Sequence, residues 1–213
     1  RDVCFIEDAH AGYSFHRCKD LFLYHPTCSD GGENVHFRTY ASRDLIHWED
    51  LDVLVYPDPR WYKERWDEML ITDDGDTYWG YISSEVREDY GPPSCGLLKS
   101  GDGIRWEVLP PPTIRWGRVP KHHMELCFCE KIGETWYLGM SGRLYLGSWG
   151  YSVFVFRGSS PQGPFEPDEA MFRLCGGAED LTWLTHIAHA GDEGPLCATW
   201  VSCDHEPSIP STT

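Results

Sequence analysis

DLIHWEDL, residues 44–51, comes back as DGIRWEVL at 102–109 and as QGPFEPD at 162–168. Trp48, Trp106 and Phe165 hold the same place in the three copies, at spacings of 58 and 59 residues. A period of this length, with each copy bringing a turn, an aromatic and an acidic residue, is what radially repeated sheets leave in a sequence. A second marker keeps the same period: the turn acids Asp20, Asp76 and Glu134 of the inner hairpins are 56 and 58 apart. The expected fold is therefore all-β, a β-propeller of four-stranded blades.

The copies divide the chain into blades at about 1–51, 61–109 and 122–168, with a partial one at 171–213, all within a single propeller domain. GYSFHR and LFLYH flank a Lys19-Asp20 turn, and HFRTYASRD alternates as a strand does. MLITDDGDTYWGYIS reads as two strands about Asp73-Asp74-Gly75-Asp76, the strongest hairpin signal in the sequence. ELCFCEKIGETWYLGMS repeats it about Gly133. SSEVREDYGPPS reads as a polar loop, the prolines at 110–112 interrupt regular structure, and no stretch has helical periodicity. At roughly 59 residues per blade, 213 residues supply between three and four copies, and a ring needs at least about four. The expectation is that the chain is a fragment or that something further completes the ring.

With 41% hydrophobic and 14% aromatic residues the chain has ample material for a core. A net charge of −16 argues against nucleic acid or an anionic membrane as partner. No apolar run approaches the roughly 18–20 residues that span a bilayer, so the chain is expected to be soluble. The nine cysteines include no C-x-x-C pair, and Cys127 and Cys129 share one face of an apolar strand. Buried free thiols and a reducing, cytoplasmic setting are preferred to a disulfide framework.

Each copy also carries a carboxylate in apolar or aromatic company ahead of its hairpin turn: Asp8 in FIEDAH, Asp67 in RWDEML and Glu125 in HMELCF, 59 and 58 residues apart. Equivalent positions in repeats often match for structural reasons alone. Acids that converge on one axis, however, repel and raise one another's proton affinity, which is costly for a fold and useful for proton transfer near neutral pH. Asp8, Asp67 and Glu125 are the expected catalytic set.

These motifs resemble the five-bladed propeller glycoside hydrolases of families 32 and 43. The likeness rests on SRDLIHWED, on the hairpins DGDTYWGY and IGETWYLG, on FHRCKDLFLYHP and on the order Asp, Asp, Glu over successive blades, and it covers residues 3 to 170 or so. Family 32 has Asn-Asp-Pro where this chain has Glu7-Asp8-Ala9, Arg-Asp-Pro where it has Trp66-Asp67-Glu68, and Glu-Cys where it has Glu125-Leu126-Cys127. The resemblance implies hydrolysis of a glycosidic bond in a carbohydrate substrate, a fructosyl or arabinosyl furanoside. Glu125 would protonate the leaving oxygen, Asp8 would act as nucleophile or as base on water, and Asp67 would orient hydroxyls and tune the acid.

Around this set, His10 is a candidate hydroxyl ligand two residues from Asp8, and Trp66 a candidate platform for the apolar face of a sugar. His123, beside His122, and the cations Arg65 and Arg143 complete the expected substrate contacts. His186, His189 and Asp180 suggest a metal set, and family 43 propellers can hold calcium, but no loop has the oxygen density calcium needs; neither metal nor cofactor is expected. The alternatives are a propeller that binds a glycan or protein without catalysis, and a glycoside phosphorylase, which would need a cationic phosphate pocket.

Overall fold

The computed structural model describes residues 9–10, 15–29, 35–90, 94–145, 150–169, 172–177, 182–189 and 195–201. The first sheet contains β1 (Ala9–His10), β2 (Phe15–Cys18), β3 (Leu21–Tyr24), β4 (Thr27–Ser29), β5 (Val35–Ser42) and β6 (Trp48–Val55). β1 pairs with β4 and β2 with β3, while β3 and β4 both pair with β5. They are two broken strands, with the second interrupted at His25-Pro26, so the sheet is a four-stranded blade. The second blade is an antiparallel meander of β7 (Tyr62–Asp73), β8 (Tyr78–Val86), β9 (Ser94–Ser100) and β10 (Glu107–Leu109). The third has β11 (His122–Ile132), β12 (Thr135–Arg143), β13 (Tyr151–Gly158) and β14 (Glu166–Pro167), with β15 (Arg173–Gly176) also on β13. β16 (Thr182–His189) and β17 (Pro195–Val201) form a hairpin against the third blade. The molecule is a β-propeller.

The repeated turn holds itself together with side chains. In the first blade, Asp44 and Leu45 N–H groups donate to Ser42 Oγ, and Ile46 and His47 N–H groups donate to Asp44 Oδ1. Fifty-eight residues on, Asp102, Gly103, Ile104 and Arg105 N–H groups make the same bonds to Ser100 and Asp102. Leu45 (φ 64°) and Gly103 (72°) are left-handed at matching positions three residues before the tryptophans, and in the third copy Gly163 (83°) is left-handed two residues before Phe165. At Gly103 the conformation suits glycine doubly, because a methyl there would lie 3.0 Å from His16 Nε2. These turns join the third and fourth strands, so the first blade runs on to Val55 where the sequence pattern closed it at 51.

The other differences from expectation come from burial. The first four residues of the expected polar loop, SSEV, are strand instead: β8 extends to Val86, with Ser83 and Ser84 buried in register with Cys95 and Ser94, and β8 ends before Arg87. In β5 the expected alternation is lost, as His36 and Phe37 are both buried, because a central strand is covered on both faces. Helical structure among the described residues is one 3-10 turn, Glu88–Tyr90, and no helix is long and apolar enough to cross a membrane.

Blades meet through apolar faces stitched by a few polar bonds. Trp79, Tyr81 and Leu97 of the second blade share a core with Leu126, Leu138, Met140 and Phe154 of the third. Leu126 N–H donates to Ser83 Oγ, and Thr72 donates to the Cys129 carbonyl. Cys18, Cys28, Cys95, Cys127 and Cys129 are buried cysteines outside any disulfide, and Cys175 is a partly buried one. Burial pushes the Cys95 thiol up to about 12.

Between the first two blades His16 and His25 stack at 5.2 Å with Trp106 set edge-on against them. His25 Nδ1 bonds Thr39 Oγ1, while its Nε2 and both His16 nitrogens are buried without a partner among the described residues. Burial, only partly opposed by Asp73, lowers the His16 pKa to about 4, and burial together with His16 holds His25 well below 6.5. Both are neutral when folded and take up protons when unfolded, so stability falls as pH drops from about 6.5 towards 4. For His16 alone that loss is about 3 kcal/mol. Urea unfolding at pH 7 and pH 4.5 is expected to show it, with a smaller decrement in His16→Phe.

Candidate active site

The site is built on two inner strands that lie side by side, β7 of the second blade and β11 of the third. Asp67 pairs in register with Ser83 on β8, and Glu125 with Ser141 on β12, so the two acids occupy equivalent places one repeat apart. Arg65 joins them: its Nε donates to Asp67 Oδ2 at 2.7 Å and its Nη2 to Glu125 Oε1 at 2.9 Å. One fork of a guanidinium thus spans two blades, and its charge offsets part of what the acids bring. All three side chains are partly open, with 35% of Arg65, 40% of Asp67 and 21% of Glu125 exposed.

A fourth group joins them, and the sequence had not marked it. Along residues 65–69 the pattern is partly exposed, buried, partly exposed, partly exposed, buried. The break in alternation falls at Glu68, an extra residue between the pairs Asp67–Ser83 and Met69–Ile82, with φ at 46°. This β-bulge turns Glu68 to the side of Asp67, and bulges are common where a strand must re-aim a side chain next to a site. Burial, then the charges of Glu125 and Asp67, raise the Glu68 pKa to about 7 against a smaller opposing effect of Arg65. A carboxyl poised near neutrality beside acids bound to a cation is what general acid–base chemistry requires. The one trace of Glu68 in the sequence is a pair of successive acids, Asp67-Glu68, where strand alternation would put an apolar residue at 68; the bulge itself leaves no mark.

Trp66 is corrected. It is fully buried at 0% exposure, its ring lies against Phe37 and Tyr62, and its indole N–H donates to the Val55 carbonyl. Lying between Arg65 and Asp67 on an extended strand, it faces the opposite way and has no surface for a sugar. Arg143 ends β12 two residues beyond Ser141; its guanidinium lies over Tyr151 at 5.3 Å, and its Nε is buried without a hydrogen-bond partner among the described residues. His10 is on β1 and His123 on β11, strands whose backbone is described there without these side chains. Asp8 lies outside the described residues, as does Asp180 of the candidate metal set. Among the described residues no group of three or more His, Cys, Asp or Glu is arranged to hold a metal ion.

No protein-family model matches the sequence, and no curated protein matches it. Solved structures do. A GH43 endo-arabinanase from Bacillus licheniformis superimposes with a TM-score of 0.60 at 11% identity, over 88% of this chain and 72% of that one. An α-L-arabinanase from Cellvibrio cellulosa, complexed with arabinohexaose, gives 0.54 at 15% identity over 89% and 76%. Levansucrase from Bacillus subtilis gives 0.65 at 11% identity over 90% of this chain and 61% of its own. The chain shares the propeller fold of glycoside hydrolases at an identity that speaks for architecture alone.

Proposed function

We propose that the protein hydrolyses a glycosidic bond of a furanoside, fructosyl or arabinosyl, with carboxylates carried by successive inner strands. The observation that carries this reading is the delivery of Asp67 and Glu125, from matching places in neighbouring blades, to one arginine. The arabinanase and levansucrase structures lend it support through the shared fold. In this reading Glu125 protonates the leaving oxygen, Asp67 and Arg65 hold substrate hydroxyls and fix the acid, and Asp8 supplies the opposing carboxylate. Its separation from Glu125 sets the outcome, about 5 Å for retention and roughly 6.5–9.5 Å for inversion. Arg143, with a nitrogen unengaged, and His10 and His123 are proposed substrate contacts.

Sugar binding without cleavage is the second reading, favoured by the fact that Arg65 closes on both acids and so satisfies them without a substrate. A panel of nitrophenyl furanosides with arabinan and levan, read by product release, separates the two. At least one substrate is expected to be cleaved. Binding by calorimetry with no release from any of them would give the site to the second reading.

A further inference from the structure

Seven of the described arginines pair with an Asp or Glu, in keeping with a net charge of −16. Of the other described arginines Arg143 alone is partly buried, and the rest are exposed to water. Its Nε is buried with no hydrogen-bond partner among the described residues. A buried donor without an acceptor is costly, and native folds leave few of them.

Strand register fixes where this group lies. On β12, Ser141 stands opposite Glu125 and Arg143 opposite His122, and the extra residue of that stretch is on β11. β12 itself pairs with β13 without a shift, so Ser141 and Arg143 project to the side that bears Glu125, about 7 Å apart along the strand. Ser141 is fully buried and its Oγ also has no partner among the described residues. Tyr151, opposite Arg143 on β13, holds the guanidinium over its ring at 5.3 Å. Such a stack engages the face of a guanidinium and leaves its in-plane N–H donors for a planar oxyanion. Arg65, the other cation here, is already engaged by Asp67 and Glu125.

We propose that Arg143 recognises an oxyanion carried by the sugar, a phosphate ester or a carboxylate, so that the substrate is an anionic furanoside; this rests on the site being the sugar site of the reading above. The oxyanion meets the in-plane N–H groups of a guanidinium already oriented by Tyr151. A neutral hydroxyl in its place leaves that partly buried charge unpaired, so the site discriminates by charge.

The test compares three compounds: nitrophenyl arabinofuranoside, the same compound phosphorylated at its primary hydroxyl, and the same compound oxidised there to a carboxylate. Binding is read by calorimetry and cleavage by nitrophenol release, with inorganic phosphate as a fourth ligand. One of the charged compounds is expected to bind the parent about tenfold or more tighter than the neutral one, the size of one hydrogen bond to a charged group. Which of the two does so tells phosphate from carboxylate. Arg143→Gln should abolish the preference and Arg143→Lys keep part of it, since an ammonium supplies the charge without the fork. Equal binding of charged and neutral compounds by the parent overturns the proposal, as does a preference that survives Arg143→Gln. Weakening of all three alike with a lowered melting temperature overturns it too, and so does inorganic phosphate binding as tightly as the phosphorylated sugar. An Arg143-dependent preference with no cleavage of these compounds or of the panel above sinks the hydrolase reading and leaves the anion site standing. Cleavage of the neutral compound with no such preference does the reverse.

Discussion

Glu125→Gln is expected to lower turnover by about 10²–10⁴-fold while the melting temperature stays within a degree or two of the parent. The amide keeps the shape of the carboxyl and an oxygen for Arg65 Nη2, so the bond between the blades is retained while the donated proton is lost. The cost therefore appears in kcat more than in KM, since the acid acts on charge that develops only as the bond breaks. Asp8→Asn should match it in size. A leaving group that needs no protonation, such as a dinitrophenolate, is expected to recover much of the loss in Glu125→Gln and little of that in Asp8→Asn. Turnover kept by either variant would remove its residue from the mechanism.

Trp66→Ala is expected to destabilise the fold by about 3–5 kcal/mol, the range for deleting a buried aromatic side chain. At this chain length that lowers the melting temperature by roughly 6–20 °C. The indole fills the junction between the first two blades: Phe37 packs on it from β5, Val55 accepts its N–H, and Thr27 donates to its main-chain carbonyl. A methyl at Gly96 would come within 3.1 Å of its ring, so the second blade is closed around it as well. Equilibrium urea unfolding followed by fluorescence and circular dichroism measures the effect. A change below 1 kcal/mol would mean that the junction does not depend on this ring.

The blade repeat is legible in the sequence because its marker is local. Ser42, Asp44 and Trp48 need only their own neighbours to form a turn, so the motif survives wherever the turn does. The hairpin at 73–78 is legible for the same reason, since Asp73 and Asp74 bond the N–H groups of Gly75, Asp76 and Thr77. Pairing Asp67 with Glu125 followed from the period, and the strand registers agree with it. Strand alternation, applied to Arg65 and Asp67, already sends Trp66 to the core; its place beside an acid had drawn it towards the sugar. Glu68 was hidden more deeply. A bulge with a left-handed glutamate has no composition signal, and it is imposed by pairing with β8, a partner more than ten residues away.

The serine-and-aspartate turn has an implication for how such a chain is assembled over evolutionary time. Four successive main-chain N–H groups are satisfied by two side chains of the same segment, so a copied segment would bring these bonds of its joint with it. Lengthening by copying would then leave the flat faces between blades as the surfaces to be refitted.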